Sequence, residues 1–430
     1  MKKYEQYKNS GVEWLGEIPA HWETKRIKHL FKEINERSFD GSEDLLSVSQ
    51  YTGVTNKSER LEEGGMLTNA STLEGYKKVT RDDLVSNIML AWNGSLGFSQ
   101  FDGITSPAYS IYRLKTNDVN RYFHYLLRTE LYKSEFKRNS SGVIESRLRL
   151  YTDDFFRIES ILPPIQEQTA IAHFLDDKTT KIDQAIAIKQ KQIELLKERR
   201  QILIHKAVTR GLDDRVKLKD SGVDWIGEIP VHWELKRLKY ISNIVLGKML
   251  CNEDKGNYKL KPYLKSKNIQ WLNVEVESVD EMWFSEKEMM DYRLKRGDLI
   301  LSEGGEVGKT CIWNNELDEC YIQNSAHKVT VYNDNISEYY IYIFYTIGKF
   351  GVFDSIINRV SIGHLTKDKL SNIEIINPPK EEQKQIVEFI ETAATKIAKA
   401  ISLKEQEIEK LKEYKMNLID GVVTGKVKVC

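Results

Sequence analysis

The 430-residue sequence has no long hydrophobic run and no excess of charge of either sign. No stretch of about 18 apolar residues occurs, so we expect no membrane span. The opening residues, MKKYEQYKNS, lack the apolar core of a secretory signal, which predicts a cytoplasmic protein. Basic and acidic residues balance at 64 each. A neutral total neither indicates nor excludes a nucleic-acid partner, because a basic face can coexist with acidic regions elsewhere.

Cysteine and the common catalytic motifs are also scarce. The four cysteines all lie in the second half of the chain and form no CxxC pair: Cys251, Cys311, Cys320 and Cys430. We interpret them as reduced thiols and expect no metal site. No HExxH or GxSxG motif occurs. The sequence therefore predicts no catalytic residue and no cofactor in this chain.

Two short segments resemble catalytic motifs but lack a required residue. EGGEVGKT, from Glu303 to Thr310, has the Gly-Lys-Thr of a phosphate-binding loop, but the first glycine of GxxxxGK[ST] is replaced by Glu303. NPPK, from Asn377, resembles the tetrapeptide of amino-group methyltransferases but has Lys380 in place of the aromatic residue. We interpret the first as a turn between strands and the second as a helix start.

What the sequence does have is a tandem repeat. The chain is too long for a single hydrophobic core, so two or more domains are expected. An entry segment, SGVEWLGEIPAHWETKRIKHL from Ser10, recurs from Ser221 with 14 of 21 positions identical. A closing segment that begins PPIQEQ at Pro163 recurs as PPKEEQ at Pro378. The residues between entry and closing segments differ in the two halves, so the repeated ends predict a duplicated unit with diverged middles.

The closing segments predict two long helices that pair with each other. Each begins with Pro-Pro and has no further proline or glycine until Gly211 or Gly421. Apolar residues alternate four and three apart, as in a coiled coil. Both copies interrupt this seam at equivalent positions, with Lys189 and Arg200 in one and Lys404 and Lys415 in the other. About 42 helical residues would span roughly 60 Å. The predicted seam consists of Ile182, Ile186, Ile193, Leu196, Leu203, Ile397, Ile401, Ile408, Leu411 and Leu418.

The diverged middles predict mixed α/β domains. Short β-branched or aromatic stretches such as AYSIYRL, from Ala108, and AHKVTVY, from Ala326, indicate strands. VNRYFHYLLRTELYKSEF, from Val119, and ISEYYIYIFYTIGKF, from Ile336, indicate helices at matching places. The predicted boundaries are a first domain at 1–162, a first long helix at 163–212, a second domain at 213–376, and a second long helix with a tail at 377–430.

This order of segments resembles the DNA-specificity subunit of type I restriction–modification systems. The resemblance covers essentially the whole chain and rests on WLGEIPxHWExKRLK followed by PPxxEQ and a heptad helix, twice in tandem. It implies two target recognition domains in tandem, each followed by a long helix, with the helices pairing as an antiparallel coiled coil of pseudo-twofold symmetry. Each domain would read one half of an asymmetric, split site on double-stranded DNA, with the gap set by the helix pair.

The resemblance also implies partners. A specificity subunit has no catalytic activity of its own and recruits two methyltransferase subunits and, for cleavage, restriction subunits. S-adenosylmethionine, ATP and Mg²⁺ are then expected in those partners, in the cytoplasm of a bacterium or archaeon.

Candidate DNA-binding residues are the polar clusters of the diverged middles, since Arg, Lys, Asn, Gln and Ser on loops favour base contacts. In the first half they are Ser49, Gln50, Tyr51, Asn93, Ser95, Lys137, Arg138, Arg147 and Arg149. In the second half they are Lys265, Lys267, Asn268, Lys309, Arg359 and His364.

The repeated entry residues predict structure rather than base reading. We expect Trp14, Trp22, Trp225 and Trp233 to pack each domain onto its helix, and the neighbouring His21 and His232 to be structural. Two alternatives stay open at this point: a self-contained adenine methyltransferase or nuclease with its own recognition domains, and a coiled-coil adaptor that binds only protein.

Overall fold

The computed structural model describes residues 2–50, 52–57, 72–144, 147–356 and 364–429. The chain forms two compact units. Unit 1 contains residues 1–190 and 405–430, and unit 2 contains residues 191–404. Each long helix therefore contributes to both units.

Unit 1 contains twelve of the strands that the structure describes, together with four short helices. The strands are β1 (Tyr7–Asn9), β2 (Glu17–Pro19), β3 (Glu23–Arg26), β4 (Phe31–Ile34), β5 (Leu46–Ser49), β6 (Gly53–Asn56), β7 (Lys77–Val79), β8 (Leu84–Asn87), β9 (Leu96–Phe98), β10 (Gly103–Thr105), β11 (Tyr109–Leu114) and β12 (Glu159–Leu162). The helices are α1 (Ile27–Leu30), α2 (Asn120–Leu126), α3 (Glu130–Arg138) and α4 (Thr152–Arg157).

An antiparallel four-stranded sheet of order β4-β11-β8-β9 is the centre of unit 1. Helices α2 and α3 form the segment that the sequence predicted as one helix. They are separate because Thr129 adopts an extended conformation and its side chain accepts a hydrogen bond from the Tyr132 amide, which starts α3. The largest core of unit 1 joins these helices to the sheet through Phe31, Phe123 and Tyr132.

The long helices are α5 (Ile165–Arg210), with 46 residues, and α10 (Lys380–Val423), with 44. Within unit 1 the first part of α5 pairs with the last part of α10. Lys415 Nζ lies 2.7 Å from Asp183 Oδ1, and Lys189 Nζ lies 2.5 Å from Glu407 Oε2. Residue numbers rise along one helix as they fall along the other, so the pairing is antiparallel, as predicted.

Unit 2 has the other thirteen strands of the described chain and four more short helices. The strands are β13 (Leu218–Asp220), β14 (Glu228–Pro230), β15 (Glu234–Arg237), β16 (Ser242–Leu246), β17 (Lys259–Leu264), β18 (Ile269–Gln270), β19 (Asn273–Val274), β20 (Asp280–Phe284), β21 (Leu299–Ser302), β22 (Thr310–Ile312), β23 (Tyr321–Ile322), β24 (Ala326–Val331) and β25 (Glu374–Asn377). The helices are α6 (Glu286–Tyr292), α7 (Ser337–Lys349), α8 (Val352–Ile356) and α9 (Lys367–Ser371).

The central sheet of unit 2 repeats that of unit 1. Its order is β16-β24-β21-β22, all antiparallel, so β16 corresponds to β4, β24 to β11, β21 to β8 and β22 to β9. Unit 2 also has a three-stranded sheet of order β20-β17-β23, in which β17 and β23 are parallel. The shared sheet and the differing additions fit a duplicated unit with diverged middles.

The residues of the predicted helix seam are all buried or half-buried. Ile182, Ile193, Ile397, Ile408 and Leu418 are buried, and the other five predicted seam residues are half-buried. The interrupting residues Lys189 and Lys415 are half-buried as well, and each meets a carboxylate of the facing helix. Polar residues at such positions fix the register of a helix pair.

The three described cysteines, Cys251, Cys311 and Cys320, are buried free thiols. Burial raises the pKa of Cys320 to about 12. Across the described residues, no helix has the length and apolar character needed to cross a membrane.

Candidate nucleic-acid interface

A single glutamate at the start of α5 joins the entry segment to the long helix in unit 1. Glu167 accepts hydrogen bonds from Trp22 Nε1 at 3.0 Å and from the Tyr4 hydroxyl at 2.9 Å, and it lies 2.5 Å from His21 Nε2. Burial alone would raise the pKa of Glu167, but the bonds from His21, Trp22 and Tyr4 lower it below its ordinary value. The carboxylate is thus held in its charged form by the entry segment.

Unit 2 repeats this joint. Glu382 of α10 lies 2.8 Å from His232 Nε2 and accepts a hydrogen bond from Trp233 Nε1 at 2.9 Å. Trp22 and Trp233 are almost fully buried, while Trp14 and Trp225 are partly buried against the same two cores. The predicted packing of the duplicated tryptophans is therefore confirmed, and His21 and His232, whose side chains are 48% and 43% exposed, contact the same glutamates as the tryptophans.

The glutamine of each PPxxEQ segment fixes the helix that follows the central sheet. Gln168 Oε1 accepts from the Val119 amide at 2.9 Å, and Val119 caps α2. Gln383 Oε1 accepts from the Ile336 amide at 2.9 Å, and Ile336 caps α7. Both glutamines are fully buried. The repeated motif is thus a frame that sets each domain on the start of its own long helix.

The end of the other long helix is fixed in the same domain. The Tyr122 hydroxyl of α2 donates to the Val423 carbonyl of α10 at 3.2 Å in unit 1. The Tyr339 hydroxyl of α7 donates to the Val208 carbonyl of α5 at 3.0 Å in unit 2. Each domain is therefore anchored to both long helices, through one helix start and one helix end.

The predicted candidates of unit 1 lie around β9. Arg128 donates from Nη2 to the Gln50 carbonyl at 2.7 Å and from Nη1 to the Leu96 carbonyl at 3.2 Å, so it joins the β5–β6 turn to β9. Burial lowers the pKa of Arg128 to about 10, so the guanidinium stays charged at neutral pH. Burial, with Arg128 and Arg121 nearby, lowers the pKa of His124 to about 3, and this imidazole stays neutral. Ser49 and Gln50 are half-buried in the turn.

The loop before β9 carries two further candidates. Asn93 Oδ1 accepts hydrogen bonds from the Ser95 amide at 3.2 Å and hydroxyl at 2.9 Å, and Ser95 is 3% exposed. Ser95 therefore shapes the loop, and we leave it out of the proposed DNA contacts. Half-buried Trp92 of the same loop lies under Lys137 of α3, whose Nζ is 5.5 Å from the ring centroid.

The remaining candidate arginines of unit 1 are exposed. Arg149 pairs through its backbone with Ser141, and the next residue, Leu150, donates its amide to the Ile88 carbonyl at 2.9 Å. Arg149 is therefore beside the loop that holds Asn93. Arg147 is exposed nearby in the chain, whereas Arg138 forms an ion pair with Glu135 at 2.7 Å on its own helix. We define the first polar patch as Gln50, Trp92, Asn93, Lys137 and Arg149.

In unit 2 the candidates around residue 267 divide into surface and buried groups. Lys265 and Lys267 both form ion pairs with Asp280, and the bond to Asp280 raises the pKa of Lys265. Asn268, by contrast, is 2% exposed. Its amide nitrogen donates to the Glu275 and Ser278 carbonyls at 2.9 and 3.2 Å. Its side chain is committed to its own loop, so it too is left out of the proposed contacts.

The loop between β21 and β22 brings the other candidates of unit 2 together. Lys309 Nζ donates to Gln270 Oε1 at 2.8 Å and forms an ion pair with Glu306. His364 Nδ1 lies 3.0 Å from Glu303 Oε2 at the other end of this loop. The loop therefore carries two carboxylates and a lysine. Its glycines lie in a connection between two neighbouring strands, which is how the sequence analysis interpreted the EGGEVGKT segment.

Ser325 connects this loop to the lysine segment. The Ser325 hydroxyl accepts from the Ser266 amide at 3.0 Å, and the Ser325 carbonyl accepts from the Glu303 amide at 2.8 Å. We define the second polar patch as Lys265, Lys267, Gln270, Lys309 and His364. The predicted candidates Tyr51 and Arg359 lie outside the described residues.

The sequence interpretation missed two residues of the patches, Trp92 and Gln270, and it also missed Arg128, which fixes the turn of Gln50. Arg128 and Gln270 act through contacts with residues far away in the chain, which no local pattern encodes. Gln270 nevertheless lies in the polar stretch that contains Lys267, which was the available signal. In the described ranges, no group of three or more His, Cys, Asp or Glu side chains is arranged to hold a metal ion.

The fold and the patches define a class of protein with two α/β domains in tandem. Each domain has its own cluster of polar loops and is followed by a long helix. Residues 19–198 and 230–413 match the type I restriction modification DNA specificity domain. Because these two matches cover most of the chain, the protein belongs to the family of type I restriction–modification specificity subunits, which determine the DNA sequence that is recognised.

Relatives and solved structures agree with this family. The chain is 25% identical to the type I restriction enzyme MjaVIII specificity subunit of Methanocaldococcus jannaschii, over 96% of this chain and 94% of the relative. It is 24% identical to a putative specificity subunit of Haemophilus influenzae over 64% of this chain and 66% of that protein. The fold is similar to that of the HsdS subunit from Thermoanaerobacter tengcongensis, with a TM-score of 0.56, 15% identity, and coverage of 95% of this chain and 98% of the other.

A second solved structure has a higher fold similarity. It comes from a study of complex assembly and conformational transition of the type I R-M system, and it matches with a TM-score of 0.70 at 14% identity. The match covers 95% of this chain and 99% of the other. The predicted fold class, two tandem domains and two paired long helices, is confirmed.

Proposed function

We propose that the first and second polar patches each read one half of an asymmetric, bipartite DNA site, and that the paired helices set the gap between the halves. The observation that carries this proposal is that the two units share a four-stranded sheet, whereas the corresponding loops β8–β9 and β21–β22 carry different polar side chains. A shared frame with different loops is suited to two different half-sites, because base edges are read by side chains on loops and helices.

The side chains of the patches have the chemistry for base reading. The first patch has two amides, Gln50 and Asn93, which are suited to adenine, and one arginine, Arg149. The second patch has one amide, Gln270, and three lysines, which are suited to guanine N7 and O6: Lys265, Lys267 and Lys309. Glu306, which pairs with Lys309, and Glu303, which pairs with His364 at the other end of the loop, are suited to accept from the cytosine amino group. These differences support different sequences for the two half-sites.

The catalytic work belongs, in this proposal, to partner subunits. Two methyltransferase subunits would bind S-adenosylmethionine, and restriction subunits would use ATP and Mg²⁺, in the cytoplasm of a bacterial or archaeal cell. The partners would also supply much of the phosphate neutralisation, which explains how a chain with 64 basic and 64 acidic residues serves a DNA complex.

A selection from random duplex DNA tests the proposal. The chain bound to its methyltransferase partner should enrich one bipartite sequence with a fixed gap. The double variant Gln50→Ala/Asn93→Ala should weaken the base preference at one half-site only. Lys309→Ala should lower the affinity for the preferred base of the other half-site, relative to other bases, by about 5- to 100-fold. Lys191→Ala, on an exposed helix lysine paired with Glu194, is the matched control and should change neither half. Failure to enrich any bipartite sequence would contradict the proposal.

A methylation assay separates this proposal from that of a self-contained enzyme. The chain alone, incubated with labelled S-adenosylmethionine and duplex DNA, should transfer no methyl group, whereas the complex should methylate DNA. Methyl transfer by the chain alone would show that it contains a catalytic site.

A further inference from the structure

A lysine lies over a tryptophan beside the central sheet of unit 1. Trp92 belongs to the loop between β8 and β9, and its Nε1 donates to the Met89 carbonyl at 3.0 Å, which fixes the indole. Lys137 at the end of α3 places Nζ 5.5 Å from the centroid of this ring. A tryptophan ring attracts an ammonium at this distance, so the ring positions the charge of Lys137.

Unit 2 contains a similar pair. Trp271 lies in the turn between β18 and β19 and packs edge-on against Tyr345 of α7, with ring centroids 5.7 Å apart. Lys349, at the end of α7, places Nζ 5.2 Å from the Trp271 ring and 5.6 Å from that of Tyr345. A Cβ on Gly348 would lie only 2.0 Å from the Trp271 ring. The indole therefore lies directly on the backbone of α7.

The two tryptophans lie next to corresponding strands, although they and their lysines come from different parts of the repeat. Trp92 precedes β9, and its loop packs on α3, since a Cβ on Gly94 would touch the Lys133 side chain. The amide of Leu272, next to Trp271, donates to the Thr310 carbonyl of β22 at 2.9 Å. Strands β9 and β22 are the corresponding outer strands, whereas the helices differ: α7 is the counterpart of α2, and α3 follows α2 in the chain.

The two tryptophans are not equivalent in sequence. Trp92 lies in the loop between the sheet strands β8 and β9, whereas Trp271 lies in the β18–β19 hairpin, which precedes the sheet strand β21. A lysine–tryptophan pair that occurs in both diverged domains is suited to bind a part of the DNA that is the same at both half-sites. Duplex DNA has the same sugar-phosphate backbone at each half-site, whatever its bases, and phosphate contacts fix the position of a protein on the duplex.

We propose that Lys137 and Lys349 each bind a backbone phosphate of the DNA next to one half-site and thereby position the domain, so that Lys137 is the member of the first polar patch that contacts the DNA backbone and no base. This inference rests on the proposed DNA-reading function of the two patches. Trp92 and Trp271 hold the ammonium groups in place. Each tryptophan is next in the chain to a residue that is proposed to read a base, Asn93 after Trp92 and Gln270 before Trp271.

The salt dependence of DNA binding tests this role. The variants are Lys137→Gln, Lys349→Gln and the double variant, each in complex with the methyltransferase partner and bound to the selected duplex. Each loss of a phosphate contact should reduce the slope of log binding constant against log salt concentration by about 0.9, and the double variant by about 1.8. Lys→Arg variants should keep the slope of the unaltered protein, because the charge remains.

The controls separate this inference from the proposed function. Lys191→Gln and Lys412→Gln remove exposed helix lysines that pair with Glu194 and Glu409, and they should leave the slope unchanged. The selected sequence should be the same for every variant, and thermal unfolding should match that of the unaltered protein. An unchanged slope for both Gln variants, or an altered base preference, would overturn the positioning role. If the unaltered complex selects no bipartite sequence, the proposed function itself fails.

Discussion

Glu167 explains why histidine, tryptophan and glutamate recur together in the sequence. One carboxylate meets three side chains that lie 145 to 163 residues earlier in the chain. Buried tryptophan needs a partner for its N–H, and an ionised carboxylate is a strong one. The same logic holds at Glu382, so each repeat keeps these residues because they close the domain on its helix.

We predict that Glu167→Gln destabilises unit 1 by about 2 kcal/mol at pH 7, because bonds to a charged acceptor are worth more than bonds to an amide. The folded-state pKa of Glu167 lies below its ordinary value near 4.5. The stabilisation is therefore complete above that value and is lost as the pH falls through the lower, folded-state pKa. Urea unfolding of both proteins at several pH values between 7 and 3 measures this, and the two stabilities should converge at the acid end.

Glu194→Gln is the matched control, since Glu194 is an exposed residue of α5 that pairs only with Lys191 among the ion pairs of the described chain. It should change the unfolding free energy by less than about 0.5 kcal/mol at every pH. A difference between unaltered protein and Glu167→Gln that stays constant down to pH 3 would contradict the role given to the Glu167 charge.

The candidate base readers were less predictable than these joints. Asn268 and Lys267 are adjacent polar residues of one turn, yet the first is buried and the second exposed. Asn268 is held inside by the Glu275 and Ser278 carbonyls, whereas Lys267 pairs with Asp280 at the surface. A local pattern gives the polarity of a loop but not the direction of each side chain, which tertiary contacts decide.

At the scale of elements, the long helices were the most predictable feature. Their seam is periodic and repeated, so each copy supports the other, and every predicted seam residue is buried or half-buried. The shared four-stranded sheet was not predicted as such, because its strands pair residues far apart in the chain, for example Leu84 with Tyr112. The break between α2 and α3 was missed because Thr129 ends the helix pattern through a single cap.

Two leucines of the long helices give a direct test of the seam. Leu418 is 3% exposed in the core of unit 1, whereas Leu195 on α5 is 51% exposed. We predict that Leu418→Ala lowers the free energy of unfolding by about 2–5 kcal/mol, because it leaves a cavity. Leu195→Ala, the control, should change it by less than about 0.5 kcal/mol. Denaturant unfolding followed by circular dichroism measures both, and equal effects would contradict the assigned seam.

At the scale of the whole molecule, the residues that are the same in the two halves have a different role from the residues that differ. The kept residues join domain to helix through Glu167, Gln168 and their counterparts, and the varied residues form the two polar patches. Such a division allows the sequence read by either domain to change without disturbing the frame. It also makes the helix pair the element on which the proposed gap between half-sites depends.

Lengthening the helices tests that dependence. The two units divide α5 after Gln190 and α10 after Lys404, so one heptad inserted at both points keeps the seam in phase. Seven helical residues add about 10 Å, which corresponds to about three base pairs of duplex. We predict that the complex with the methyltransferase partner then selects the same two half-sites with a gap about three base pairs longer. An insertion in α5 alone is the control and should weaken binding, because it shifts the part of α5 after Gln190, with the seam residues Ile193 and Leu196, out of register with the seam of α10. Selection of the original gap by the doubly lengthened protein would show that the helices do not set the spacing.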